Sequence, residues 1–432
     1  MPFELGAGAP KKIAVIGAGI SGMGAAHMLG DTHGVTLFEA EPRLGGHART
    51  IMAGKRGDQP VDTGFIVFNH VNYPHLKALF ERLEVPTTES NMSFGVSIDG
   101  GRLEYALHGI DALFAQRKNV ADPRFLRMVR DILRFNARAE QEATDPELTI
   151  GGLLERLRTG PWFRDYYLTP FSGAIWSTPK SKILDFPAYA MVRFFRNHGL
   201  LGYSGQHQWY TVQGGSVEYV RRLEAGMRRK GVELRLGAPV QSVRRSELGV
   251  QVRPWGGAWE TFDEVVFATH SDDTLRMLAD ASISERKALG AVAYQPNEVI
   301  LHRDASVMPR RRKVWASWMY TEDSQKLSDQ IDLTYWMNSL QPIPMDDPHF
   351  VTLNTKRPIR EELIFDQVTM RHPVYDVAAL AAQKEIAAFN GTNSTWFCGA
   401  WMKNGFHEDG LSSAVDVVEG INRVASLQVA AE

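Results

Sequence analysis

The chain is 432 residues long, 44% hydrophobic and 23% charged, a balance that fits a folded protein of two or three domains and excludes a disordered or low-complexity one. Lys plus Arg number 48 and Asp plus Glu 50, and the net charge of −2 argues against a general nucleic-acid binder. The single cysteine, Cys398, excludes an intramolecular disulfide framework and a multi-cysteine metal site, so no metal is expected. No apolar run reaches the roughly 18 residues of a membrane span. Met1 to Pro10 lack the charged start and apolar core of a signal peptide. A cytoplasmic protein is expected, soluble or held at the inner face of the cytoplasmic membrane.

The first predicted strand is Ile13-Ala14-Val15-Ile16, a β-branched run of the kind buried in a parallel sheet. It runs into Gly17-Ala18-Gly19-Ile20-Ser21-Gly22, then a helix to Leu29, then a second strand, Val35 to Phe38, ending at Glu39 and Ala40. Gly17 permits the tight turn, Gly19 lets backbone approach a pyrophosphate, and Gly22 lets the helix pack on the sheet. Ile20 and Ser21 open a helix whose N-terminal N–H groups and dipole suit phosphate. Glu39 lies about 20 residues beyond the first glycine, where a carboxylate accepts from ribose hydroxyls and disfavours a 2′-phosphate. Strand, turn, helix, strand and acid in that order predict a dinucleotide site.

Next comes Arg43-Leu44-Gly45-Gly46-His47-Ala48-Arg49-Thr50. The glycine pair lets the chain turn back across the dinucleotide. This resembles the extended FAD motif of flavin-containing amine oxidases, phytoene desaturases and their relatives, and implies FAD. Many of these carry Arg after the glycine pair; His47 stands there instead, which leaves the phosphate contact to Arg43 or Arg49. His47 reads equally as a cofactor contact or a solvated loop residue. Val61-Asp62-Thr63-Gly64-Phe65 is similar to the superfamily's Asp-x-Gly turn beside the flavin, with Gly64 bringing backbone toward the ring.

Two further blocks extend the resemblance. Gln213-Gly214-Gly215-Ser216 opens a helix to Met227, followed by short strands, Val240 among them, and by Asp263 to Thr269. The resemblance implies that Val240 sets backbone against the adenine. Thr395 to Ala400 is a strand ending at Gly399, Trp401 to Asp409 a polar aromatic loop, and Gly410-Leu411-Ser412-Ser413-Ala414-Val415 the opening of the last helix. In the superfamily this unit aims N–H groups at the flavin pyrimidine edge, where they stabilise negative charge. Cys398 lies inside the strand and reads as a small buried hydrophobe, so FAD is expected to be bound non-covalently.

The expected fold is α/β, amine-oxidase-like. A discontinuous Rossmann-like FAD-binding domain (1–95, 209–274 and 389–432) joins a mixed α+β substrate-binding domain (96–208 and 275–388). The second domain is rich in aromatic residues, among them Trp162, Phe163, Tyr166, Tyr167, Phe171 and Trp176, which suit a core or an apolar tunnel. In amine oxidases an aromatic side chain precedes the Ala of the terminal motif by four residues; counting back from Ala414 gives Gly410. That removes one wall of an amine cage and leaves space over the flavin.

A closer resemblance rests on Gly45 to Thr50, Trp315-Ala316-Ser317-Trp318 and Gly405 to Gly410. It is to bacterial FAD-dependent oxidoreductases encoded beside cyclopropane-fatty-acid-synthase-like methyltransferases, a group that looks to include desaturases of methylated acyl chains on the route to furan fatty acids. It implies hydride transfer to flavin N5 from an unsaturated or methyl-branched fatty acyl chain, free or in a phospholipid. A double-bond isomerase, an amine oxidase and a non-catalytic flavin scaffold are the alternatives. Phe186 to Leu201, with Phe194 and Phe195 among Arg193, Arg196 and His198, suits peripheral membrane contact, as does Arg310-Arg311-Arg312-Lys313. A core helix and a solvated turn account for the same residues. Candidate catalytic groups are His302, Glu408 and Asp409, with His407 beside them; a buried carboxyl with a raised pKa can serve as base. A homo-oligomer is left open.

Overall fold

The computed structural model describes residues 9–145, 147–176, 180–202, 206–247, 249–322 and 329–429. The first eight residues, part of the segment read for a signal peptide, lie outside them.

Five parallel strands form one sheet in the spatial order Glu233–Arg235, Gly34–Phe38, Lys12–Ile16, Glu264–Phe267 and Thr395–Phe397. Both faces of such a sheet are covered, so its strands are apolar at nearly every position. Ile13, Ala14, Val15, Val265 and Val266 have no exposed surface. Five helices frame the sites and surfaces of interest: α1 (Ile20–Leu29), α2 (Pro74–Arg82), α3 (Pro123–Glu142), α4 (Ala188–Asn197) and α5 (His407–Val429). α1 is buried along almost its whole length and packs against α5. Its small and apolar residues leave no polar face to expose.

The second large sheet has seven strands, in the order Ile364–Val374, Ala293–His302, Phe350–Leu353, Asp332–Trp336, Trp318–Glu322, Phe94–Ile98 and Leu103–Ala106. Only Trp318–Glu322 and Phe94–Ile98 run parallel; the other neighbours are antiparallel. Phe94, Val96 and Leu301 of this sheet share one core with Phe125 and Phe135 of α3 and Phe195 of α4. Phe163, Tyr167 and Trp176 belong to the same core, so the aromatic insert is packing.

The chain changes sheets at places other than the expected boundaries. Phe94–Ile98 lies wholly in the seven-stranded sheet. Leu289 and Val292, and Ala382 and Ile386 of the Val377–Phe389 helix, pack with Phe267 and Phe397 of the parallel sheet. The crossings therefore fall near residues 93, 293 and 374. Short helices with one apolar stripe fit either core, and the partner is decided only when the sheets are assembled.

Of the two segments read as membrane-facing, the first buries its apolar residues and the second is exposed but paired. α4 buries Met191, Val192, Phe194 and Phe195. Arg311 pairs with buried Glu104 at 2.6 Å, Lys313 with Asp111 at 2.7 Å, and Arg312 lies over the Trp315 ring at 3.7 Å. Among the described residues no helix is long and apolar enough to cross a membrane.

Candidate active site

The carboxyl edge of the parallel sheet carries the glycine turn. Gly17 has φ +99°, and a Cβ there would stand 2.9 Å from the Ala268 carbonyl oxygen. A Cβ on Gly22 would lie 1.8 Å from the Gly17 oxygen. Gly19 differs: a Cβ there meets nothing within 4 Å. It faces open space at the N-terminus of α1, where no side chain caps the helix. Glu39 closes the turn, accepting from the Ala18 N–H at 2.6 Å and the Glu41 N–H at 2.8 Å. Ala40 is exposed beside it, and half-buried Val240 opens the strand that follows the Ala238 N–H bond to the Glu39 carbonyl, 2.8 Å. A bare helix terminus, open space before it and a carboxylate at the strand end fit the pyrophosphate and ribose of a dinucleotide.

The glycine-pair loop lies against this turn. Gly45 N–H donates to the Ala18 carbonyl at 2.9 Å. Gly46, at φ +56°, sits where a Cβ would be 3.0 Å from the Gly19 Cα. A Cβ on Gly64 would stand 1.9 Å from the His47 oxygen, and Phe65 N–H donates to that oxygen at 3.0 Å. The missing side chain at Gly64 thus serves the contact between two loops. Neither candidate arginine points freely at phosphate. Arg43 donates to the Gly46 carbonyl at 3.0 Å and pairs with Glu41 at 2.9 Å. Arg49 forms a two-pronged pair with Asp366, one arm at 3.0 Å, which ties the loop to the seven-stranded sheet.

Asp62, the acid of the Asp-x-Gly turn, holds three segments together. It is fully enclosed; its carboxylate accepts from Thr50 Oγ1 at 2.5 Å, Ser216 Oγ at 2.7 Å, Ser216 N–H at 2.9 Å and Gln341 Nε2 at 2.8 Å. Burial raises its acid to about 6 in spite of those donors. The sequence signal was the position itself, two residues before Gly64; the partner Gln341 lies 279 residues away.

Four imidazoles meet beyond this clamp. The His47 ring stands 5.8 Å from His270 and 5.6 Å from His372, both roughly parallel to it. His407 stacks on Phe65 at 3.9 Å, and its Nε2 lies 2.7 Å from the Tyr219 hydroxyl. His372 Nδ1 accepts from Asn297 at 2.8 Å, and His270 stacks on Tyr294 at 4.3 Å. Burial is the chief cause that lowers His270, His372 and His407 to about 3, and it lowers His47 as well. All four are neutral near pH 7, and all four residues are half-buried. His270 and His372 carry no motif in the sequence. His270 follows the inner strand Glu264–Phe267 by three residues, at the carboxyl edge where ligands of such sheets bind. Nothing in the sequence around His372 marks it. His270, Asp272 and Asp273 place three ligand atoms within 4.8 Å, but Arg371 pairs with both carboxylates and Arg276 with Asp273. The cluster is an ion-pair network.

The two acids and the terminal helix make helix-end contacts that the sequence does not announce. α5 begins at His407, three residues before the expected start, so the Gly410 N–H is already spent on the Phe406 carbonyl at 3.1 Å. Asp409 reaches back to the Phe406 N–H at 2.9 Å and caps its own helix, and burial raises its acid to about 6. Glu408 accepts from the His75 N–H at 3.0 Å and the Leu76 N–H at 2.9 Å, capping α2. A Cβ on Gly410 would be 2.9 Å from Ile20 Cγ2 and from Ser21 Oγ. Its smallness serves the contact of α1 with α5, in which Leu411 and Ala414 are also buried, and a side chain there separates the two helices. The Gly399 N–H donates to Ser413 Oγ at 2.9 Å. His302 is fully buried in the other sheet, with Nε2 2.7 Å from Thr352 Oγ1 and Nδ1 accepting from the Asp304 N–H at 3.1 Å. Cys398 has no exposed surface, and burial pushes its thiol up to about 12.

Two clefts open near these groups. One, of about 130 Å³, lies between α4 and the start of α5, walled by Tyr73, Phe194, His198 and Phe406, with Asp409 inside and exposed Arg193 on the rim. The other, wider and polar, of about 500 Å³, is lined by Ser90, Asn91, Gln208 and the Asp62 partner Gln341.

A parallel sheet with a bare helix terminus at its switch point, joined to a second sheet through Arg49 and Asp62, defines a two-domain dinucleotide-binding protein. Residues 20–348 match the family described as flavin containing amine oxidoreductase, and the chain belongs to that family. Its cofactor is FAD, and it is an FAD-dependent oxidoreductase. Solved structures share the fold at low identity. The CLA-producing fatty acid isomerase from P. acnes aligns with TM-score 0.66 at 14% identity, over 95% of this chain and 98% of that one. Cyclohexylamine oxidase from Brevibacterium oxydans IH-35A aligns with TM-score 0.66 at 16% identity, over 95% and 99%. Reduced UDP-galactopyranose mutase aligns with TM-score 0.68 at 15% identity, over 96% of both chains. No curated protein sequence matches the chain significantly.

Proposed function

We propose that this oxidoreductase desaturates an unsaturated or methyl-branched fatty acyl chain, carried by a membrane phospholipid, with removal of two hydrogens. Bound FAD supplies the two-electron acceptor; the protein supplies binding, orientation and exclusion of water. The observation that carries the reading is the cleft at Phe406. Tyr73, Phe194 and Phe406 line it together with Asn72, Asn197, Asn404, Glu408 and Asp409, and exposed Arg193 is a further lining residue. Aromatic walls suit an acyl chain. A guanidinium at the mouth attracts a phosphate or carboxylate head and repels an ammonium. Both oxygens of Glu408 are engaged at α2, and Asp409 is bonded to its own helix, which leaves an amine poorly matched. The likeness to a fatty acid isomerase keeps a second reading in view, a redox-neutral shift of a double bond in the same cleft.

The test is anaerobic flavin reduction. Phospholipids or fatty acids with a mid-chain methylated double bond are expected to bleach the flavin, and cyclohexylamine and polyamines are not. A product lighter by two hydrogens supports desaturation; a product of unchanged mass supports the isomerase. Bleaching by amines alone defeats the acyl reading.

A further inference from the structure

α3 presents a surface that the site does not use. Its inward side is set by Phe125, Met128, Phe135 and Ala139, all buried. At 3.6 residues per turn, Leu126, Arg130, Leu133 and Ala137 form one line on the opposite side. Arg127, Arg134 and Arg138 form the adjoining row. Leu126 is 44% exposed and Leu133 51%.

The charge of this row is not neutralised by its own helix. Asp131, fully buried, lies 3.7 Å from Arg127, 3.7 Å from Arg130 and 3.9 Å from Arg134. Three guanidiniums share one carboxylate, whose Oδ2 also takes the Gly160 N–H at 2.8 Å. Glu140, further along α3, is paired with Arg196 of α4 at 2.9 Å. A strip of net positive charge beside exposed leucines thus stands out on a chain of net charge −2.

We propose that the outward face of α3 docks the protein on an anionic phospholipid bilayer, with the arginines on lipid phosphates and Leu126 and Leu133 in the interface. A basic row flanking an apolar line is what a helix lying in a membrane surface requires. The anionic leaflet supplies the complementary charge. α3 packs on α4, whose Arg193 and Phe194 line the aromatic cleft. A bilayer against α3 therefore lies one helix away from the cleft mouth. The choice of lipid as occupant rests on the acyl reading; the charge and the exposed leucines stand without it.

The test is co-sedimentation of the FAD-loaded full chain with vesicles, which reads binding and not turnover. Vesicles of phosphatidylcholine with about 30 mol% phosphatidylglycerol are expected to bind it at about 50 mM salt and about tenfold more weakly at about 500 mM. Pure phosphatidylcholine is expected to bind it little. Arg127→Gln with Arg130→Gln, and separately Leu126→Ser with Leu133→Ser, are expected to weaken binding about tenfold or more with flavin content kept; the arginine pair, which faces buried Asp131, also lowers the melting temperature, and the leucine pair does not. Arg221→Glu with Arg228→Glu, exposed on the Val217–Arg229 helix, is expected to leave it unaltered. No binding by the native chain, or native binding by the Arg127 and Arg130 variant, overturns the proposal. So does equal affinity for duplex DNA with no effect of the leucine changes, which marks a site for any polyanion. Vesicle binding without flavin reduction by lipid sinks the acyl reading alone.

Discussion

The two large sheets hold their functional groups by different means. At the carboxyl edge of the parallel sheet the working parts are backbone: the bare terminus of α1, the turn at Gly17 and the loop approach at Gly46. Side chains there are absent because space is needed. Around the seven-stranded sheet the working parts are side chains from distant segments, as with His47, His270 and His372, or Asp62 and Gln341. A backbone site tolerates almost no added atoms. A side-chain site tolerates volume changes but depends on every hydrogen-bond partner being present.

That contrast is broken most sharply at the glycine turn. Gly22→Ala places an atom 1.8 Å from the Gly17 oxygen. It is expected to cost at least about 3 kcal/mol in chemical denaturation and to yield protein without flavin. Gly19→Val enters open space, so the apoprotein should keep its stability to within about 0.5 kcal/mol while FAD affinity falls about tenfold or more. Normal FAD titration by the Gly19 variant means that the pyrophosphate lies elsewhere.

The side-chain half is broken next at Asp62. Its replacement by Ala leaves Ser216, Thr50 and Gln341 donors unmatched, for a loss of about 2–3 kcal/mol. Gln341→Ala should cost less, and the two changes together less than their sum. Strict additivity in urea unfolding means that the contact does not join the two halves.

Acid acts on the same half. His302 is fully buried and its imidazole is lowered from 6.5 to about 4 by burial. The unfolded chain then binds the extra proton first, so this stabilisation is complete above pH 6.5 and fades as pH falls toward 4. Between pH 7 and pH 5 that one group removes about 2 kcal/mol. His270, His372 and His407 act in the same direction, being lowered to about 3. Asp62 and Asp409, raised to about 6, act in the opposite direction over that range but are fewer. Melting temperature should fall from pH 7 to pH 5, and a flat profile means that the imidazoles are not held neutral.

Smaller effects separate capping from chemistry. Glu408→Ala should destabilise by about 1 kcal/mol through loss of the α2 cap, with turnover per flavin preserved. Turnover abolished by Glu408→Gln at unchanged stability makes the residue catalytic after all. Cys398→Ala is expected to change least: flavin content is kept, and the acid precipitate of the native chain is colourless because its FAD is released.

The nucleotide turn was legible because its contacts are local. Gly17, Gly19, Gly22 and Glu39 act through backbone geometry within one strand–helix–strand unit, so spacing along the chain already is spacing in the molecule. The same holds for Cys398, which directly follows the strand Thr395–Phe397 and whose apolar neighbours announce its burial. Other assignments depended on distance. Glu408 and Asp409 read as candidate catalytic acids in the sequence, and only the fold shows that each is also bonded to a helix end. Gly410 looks like room above a ring until Ile20 and Ser21 are found against it. Phe194 and Phe195 look membrane-facing until α4 is turned over, whereas α3 displays its leucines. His372 and Gln341 carry no local mark because their roles exist only where two sheets meet. By itself the sequence determined the dinucleotide cradle, since it follows from steric rules acting within a few dozen residues, while FAD was implied by the family resemblance. Tertiary structure alone decided which faces of α3 and α4 are wet, which acids are spent on helix ends, and which histidines share a slot, because burial and partnership are properties of the assembled chain.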